Sequence, residues 1–577
     1  MEVVLLMLIT FFGYWLAYRT YGQFLARRVF RLHPDGDVPS VFRRDGVDFV
    51  PAAKEIIFGH HYTSIAGTGP IVGPAIGIIW GWIPALLWVF LGSIFMGAVH
   101  DFGALVLSMR SEGESISDVA ARYVNRRVRY IFFLVIFLVL LIVIAIFGLV
   151  IAIIFGIFPQ SVVPVWAEIP IALALGWFLY KRGGGLVAGT LGAVTAMYAT
   201  VVLGHFLPVS MPEEVGGIPS TGVWTIILLA YAFVASTIPV DRLLQPRDYI
   251  NAWQLFIAMG LLILGVLTSG LGGNLEMVAP AYNPAAGGAP PLWPFLFITI
   301  ACGACSGFHS LISSGTSSKQ ISREPDALFV GYGSMMFEAV LATLVLIAVA
   351  AGIGIAYKTG DGSVLSGSTA WQEHYASWEA SSGLGSKVDA VVIGSANMME
   401  GIFIPKELGI VIIGVFIASF AATTLDSATR VQRYVVTELF RDVGIPQLTN
   451  RYLVTALAVL TAAGVAFSTG ADGSGAMKLW PMFGAVNQLL AALALLVITL
   501  YLRHRGAGFK MLVAGLPCLI MLALTIWAVC LNEVRFIGEE KGLLSVINGA
   551  VLLLSLWMVA ESVAVLFKKE PKGSAAT

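Results

Sequence analysis

The sequence predicts an all-α polytopic membrane protein of about fifteen transmembrane helices. Three observations lead there: about fifteen apolar segments long enough to cross a bilayer, Lys and Arg gathered into alternate connections, and a composition 58% hydrophobic with mean hydropathy +0.86. A hydrocarbon core of about 30 Å asks for roughly 20 apolar residues per helix, and an isolated segment satisfies its backbone there only as a helix.

In order, the segments are 2–18, 61–80, 82–109, 128–157, 167–180, 185–206, 222–238, 250–271, 292–316, 327–357, 406–428, 452–468, 479–502, 509–531 and 543–566. The first opens on Glu2, lacks a basic stretch before its apolar run and has no small-residue cleavage site, so it reads as a span. The basic connections place the N-terminus outside and the C-terminus in the cytoplasm of a cytoplasmic (inner) membrane. The expected organisation is an N-terminal helix with a basic cytoplasmic segment (1–60), a first five-helix block (61–206), a second (222–428), C-terminal helices (452–566) and a cytoplasmic tail (567–577). Between spans ten and eleven, the Ser- and Gly-rich segment 358–405 is a candidate lid or surface loop, with Trp371 and Trp378 available to seat at the interface.

Net charge zero gives no reason to expect a nucleic-acid partner. Membrane lipid and a small-molecule substrate are the expected partners. The chain carries no phosphate-binding loop and no nucleophile elbow, so ATP-driven pumping and hydrolysis lack support and the protein reads as a non-enzyme without cofactor. Cys302 and Cys305 form a C-x-x-C inside an apolar span with no second ligand pair, which favours small-residue packing over redox or zinc chemistry.

The second span gathers Gly67, Gly69, Pro70, Gly73 and Pro74, and so is expected to unwind between residues 67 and 74, where a site is implied; a simple Pro kink is the plainer reading. The seventh span carries Ser236, Thr237 and Pro239 before a charged turn, a weaker echo. Spans two to six and seven to eleven then form two blocks of five, each opening on an interrupted helix. Five is odd, so the second enters from the opposite face, which is an inverted repeat with a site near the midplane.

Four further features bear on coupling. Cys302, Ser306, His309, Ser310, Ser313 and Ser317 fall along one side of the ninth span, suiting Na⁺ through hydroxyls or H⁺ through His309; hydroxyls bonded back to their own helix are the plainer reading of each Ser. His60 and His61 stand at the cytoplasmic mouth of span two, on different helix faces. His100 and Asp101 interrupt span three, and Glu338 and Asp426 are similar buried acids, with Asp426 near enough to Arg430 to pair. No deeply buried Lys or Arg is expected.

The stretches FGHHYTSIAGTGPIVGPAIG (58–77), GAVHDF (97–102), LLQPRDYI (243–250), FITIACGACSGFHSLISSGTSSK (297–319), TTLDSATRVQRY (423–434) and LWPMFGAVNQLLA (479–491) closely resemble the carbon starvation protein A (CstA) family. The resemblance runs in order through most of the chain, with little after about residue 500. It implies a LeuT-type five-plus-five inverted repeat with extra helices, spans two to eleven being core helices one to ten. It further implies substrate at the breaks of spans two and seven, hence Thr63, Gly67, Thr68, Gly69, Ser236 and Thr237, and coupling through His60, His61, His100, Asp101, Ser306, His309, Ser310, Ser313 and Ser314. By the same analogy Na⁺ would sit at Ser313 and Ser314, or at Ser306 and Ser310. The expected function is secondary active import of peptides or pyruvate during carbon starvation, by H⁺- or Na⁺-coupled alternating access; a passive channel and a membrane nutrient sensor are the alternatives.

Overall fold

The computed structural model describes residues 1–359, 362–379 and 384–567. Of the expected cytoplasmic tail 567–577, all but the first residue lies outside them. Among the described residues twelve helices are long and apolar enough to cross a membrane, and a bent pair adds a thirteenth. They are α1 (Glu2–Val29), α2 in two halves (α2a Lys54–Ile65, α2b Gly69–Trp80), α3 (Trp82–Met109), α4 (Arg126–Ile157), α5 (Pro159–Lys181), α6 (Leu186–Phe206), α7 (Ser220–Thr237) and α8 (Leu244–Leu271). They continue as α10 (Glu324–Gly354), α11 (Lys406–Asp442), α13 (Ser474–His504), α14 (Gly508–Gly538) and α15 (Gly542–Val565). The two-piece α9 (α9a Leu292–Thr299, α9b Gly307–Gly315) and the shorter α12 (Arg451–Ala466) account for the other two expected segments.

Several ends are explained locally. Asn125 accepts from the Arg127 and Val128 N–H groups to start α4, and Asn450 accepts from Tyr452 to start α12. Pro159 opens α5 and Pro291 stands just before α9a, positions where a helix needs no backbone donor. Helices α10, α11 and α13 are the most enclosed, whereas α1, α6 and α15 turn residues such as Leu8, Leu191 and Leu553 outward, as helices meeting lipid must.

The packing is reciprocal. Helix α8 lies on α2a as α13 lies on α9b; α2b meets α10 as α9b meets α3; α4 pairs with α11, α7 joins α4 as α12 joins α11, and α7 touches α12. The hairpin α5–α6 packs outside this scheme, mainly on α8 and α11, and α14–α15 follow α13.

Two expectations are corrected. Helix α7 runs unbroken to Thr237, and Pro239 stands beyond its end as a stop; the second interruption lies in α9, over 300–306. Trp371 is buried rather than interfacial, stacked on Tyr375 at 4.8 Å. Tyr375 donates to the Ala75 carbonyl of α2b at 2.5 Å, and Trp378 stands 5.4 Å from Trp80, so this segment rests on α2b as a lid would.

Candidate functional site

Helix α2a ends where the Ala66 N–H bonds to the Tyr62 carbonyl, and α2b resumes at Gly69 with Pro70 in its first turn, where a missing N–H costs nothing. The halves are bent by 42°. No side chain caps α2b at Thr68, so its N-terminal end is presented to whatever occupies the space before it. The α9 break is finished differently. Asn487 of α13 accepts from the Phe308 N–H at 2.9 Å and donates to Ser306 at 3.0 Å, capping α9b from outside.

The two breaks meet through glycine. A Cβ on Gly69 would lie 2.4 Å from Cys302 Sγ, one on Gly73 2.8 Å from the Thr299 carbonyl oxygen, and one on Gly67 2.3 Å from Thr424 Oγ1 on α11. A side chain at Gly69 or Gly73 would force the two broken helices apart, and one at Gly67 would push on α11. Between the breaks lies a cavity of about 310 Å³, lined by Gly67, Thr68, Gly69, Thr299, Cys302 and Thr424 and walled by Phe147, Phe308 and Phe483. It extends towards Trp378, Trp480 and Arg535, away from the basic ends of the helices. Apolar walls with a few convergent polar groups are what small-molecule sites have, and this volume is at the lower end of their range.

Of the residues singled out for substrate, Gly67, Thr68 and Gly69 line this cavity. Thr63 does not: its hydroxyl bonds to the Gly59 carbonyl of its own helix at 2.9 Å. Ser236 donates to the Asp426 carbonyl and Thr237 to that of Val234, both at the end of α7 rather than at a break. Sequence reasoning passed over Thr424 and Asn487. Polar side chains in mid-span were the signal for both.

The coupling candidates divide into two buried groups. In the first, Asp101 of α3 accepts from His100 at 2.8 Å and from His309 of α9b at 3.0 Å, and the other His309 nitrogen stands 3.5 Å from Glu338 of α10; all four are fully buried. In the second, His60 bonds to Asp248 at 2.6 Å and to Thr316 at 3.1 Å, while Arg247 bridges Asp248, Asp426 and the Tyr231 hydroxyl. His61 turns to Ser317 at 2.8 Å, on a different face from His60. Arg247 is thus a deeply buried cation that the sequence reading did not expect, although it lies outside the cavity lining and its charge is spent on two carboxylates. Asp426 pairs with Arg247 rather than with Arg430, which reaches Asp48 at 3.0 Å instead. Burial pushes the Asp48 carboxyl up, but Arg433 and Arg430 outweigh it and hold it at about 2.

The serine stripe is not continuous, because the chain is unwound from 300 to 306. Ser306 belongs to the Asn487 cap, Ser310 bonds to the Gly307 carbonyl, and Ser314 bonds to the Ser310 carbonyl and accepts from the Ile116 N–H. Ser313 is buried without a partner among the described residues. Ser313 and Ser314 line no part of the cavity, and Ser314 contacts the connection after α3.

The model of the family described as "Carbon starvation protein CstA" matches residues 2–528. The peptide transporter CstA of Helicobacter pylori strain J99 is 31% identical, covering 96% of this chain and 84% of its own. The pyruvate/proton symporter BtsT of Escherichia coli K12 is also 31% identical, over 90% of this chain and 80% of its own. Among solved structures, a mutant manganese transporter of Eremococcus coleocola superposes with TM-score 0.52 at 13% identity, covering 90% of this chain and 99% of that one. That likeness bears on the fold alone, and the core is LeuT-type.

Proposed function

Because this chain belongs to the carbon starvation protein CstA family and is a membrane transporter, we propose that it imports small carboxylated nutrients, pyruvate or short peptides, across the cytoplasmic membrane by cation- or proton-coupled alternating access. The observation that carries the reading is the cavity between two helix breaks, with the uncapped N-terminus of α2b on its wall. The Gly69 N–H and the positive end of the helix dipole favour a carboxylate there, since Pro70 has no N–H and those of Ile71 and Val72 bond to the Thr68 carbonyl; the Thr68 hydroxyl stands beside them. Both relatives' substrates, peptides and pyruvate, bear that group.

Reciprocal packing gives the moving parts. In this reading, which replaces the expected blocks 61–206 and 222–428, one repeat is 54–157 with 220–271, the other 292–354 with 406–504, and the hairpin 159–206 is an insertion in the first. The basic connections put α2a and α9b on the cytoplasmic side, where the Arg247 network closes the path, and the cavity faces outward. Uptake during carbon starvation is the physiological setting that the family description suggests.

The test is uptake of labelled pyruvate into proteoliposomes under an imposed inward proton gradient, with di- and tripeptides as competitors and a sodium gradient as control. Accumulation above equilibrium is expected. Equilibration without accumulation under either gradient, for pyruvate and peptides alike, would mean a passive pore.

A further inference from the structure

We propose that Glu338 is the site of the transported proton, and that His309 passes it to Asp101 as the half-helix α9b moves; this rests on the transport reading above. Neither carboxyl oxygen of Glu338 has a hydrogen-bond partner among the described residues, and the side chain is fully buried. A bare carboxylate in such surroundings costs several kcal/mol, so a carboxyl with no donor is stable there with its proton on. Its nearest basic atom is His309 Nε2, 3.5 Å from Oε2, just beyond a hydrogen bond.

His309 is the only member of this set on an interrupted helix. Asp101 and Glu338 stand on α3 and α10, the two uninterrupted helices that follow the breaks, and His309 lies between them one residue after Phe308, which lines the cavity. A substrate pressing on Phe308 therefore acts on the turn that carries the imidazole. A small approach lets the Glu338 O–H donate its proton to Nε2. The ring then gives up the Nδ1 proton to Asp101 Oδ2, 3.0 Å away, so that one proton enters, one leaves, and the imidazole changes tautomer. The other titratable groups around these three are His100 on α3, His61 and Tyr62 on α2a, and Cys302 and Cys305 in the α9 break.

The experiment compares wild type, Glu338→Gln and Glu338→Asp in proteoliposomes, with labelled pyruvate and labelled dialanine. Each is assayed for accumulation under a proton gradient and for counterflow with no gradient. Glu338→Gln is expected to keep counterflow within about twofold while losing at least tenfold in accumulation, and Glu338→Asp to recover part of it with a shifted pH profile. Accumulation by Glu338→Gln at the wild-type level overturns the proposal, as does parallel loss of both readouts in two variants that reach the membrane folded. Should Glu338→Gln fail to fold, Glu338→Asp decides: a wild-type pH profile overturns the proposal, a displaced one supports it. Wild-type accumulation driven by sodium alone also overturns it but leaves the transporter reading intact. Failure to accumulate either substrate under a proton or a sodium gradient sinks that reading itself.

Discussion

Around Arg247, one guanidinium serves two carboxylates and a phenol, and His60 completes Asp248, so each buried acid has a donor. Around His309, one acid has two imidazoles and the other has neither of its oxygens bonded. Both groups are buried in the same bundle, so burial alone does not separate them. In the first each carboxylate is bonded to the guanidinium, with only Asp426 Oδ1 left over among the described residues, and any change of charge costs it a bond; the second gains a bond only by moving a proton. Completeness marks a closure, and incompleteness marks a part that changes state.

Removing the cation from the complete group should have the largest effect. Arg247→Met leaves Asp248 and Asp426 without it and is expected to cost about 3–5 kcal/mol, read as a large fall in unfolding temperature in detergent, whereas Glu338→Gln should leave that temperature nearly unchanged. Equal losses in the two variants would erase the contrast. Next comes Gly69→Ala, whose Cβ meets Cys302 Sγ at 2.4 Å and Cys302 Cβ at 2.5 Å; a tenfold or greater loss of transport is expected, with partial recovery in the double variant Gly69→Ala/Cys302→Gly. Asp48→Asn takes the shared carboxylate from Arg430 and Arg433 at the basic end and should cost about 2 kcal/mol.

That last pair also sets a pH window. Asp48 is held at about 2 in the folded protein, below the ordinary aspartate value near 4. Its contribution is therefore complete above about pH 4 and is lost as pH falls from about 4 towards 2, a slope that Asp48→Asn should flatten in acid-unfolding curves. The smallest effect belongs to Thr63→Val and Thr237→Val, whose hydroxyls bond their own helices; uptake and stability should change by less than about 0.5 kcal/mol.

The sequence made the helices legible because apolar length is loud, and it made the first break legible because Gly67, Gly69 and Pro70 crowd one turn. Pro239, where the second break is expected, is a stop signal outside a continuous helix; the break lies at 300–306, which contains no proline. Only Gly303 and Gly307 among small residues marked it. What unwinds that segment is tertiary: the Asn487 cap, and the close approach of α2b and α3. The partners of Asp426 and Arg430 were hidden for the same reason. Four-residue spacing on one helix offered an ion pair, and two groups more than 170 residues away in sequence, Arg247 and Asp48, offered better ones.

The glycine contact between the two breaks leaves α2b and α9a little freedom to act apart. With the Thr299 carbonyl against the hydrogen of Gly73, neither outer half-helix can slide inward without carrying the other. Closure over the cavity should therefore be a single step, with one rate and one temperature dependence, rather than two gates that open and shut in turn.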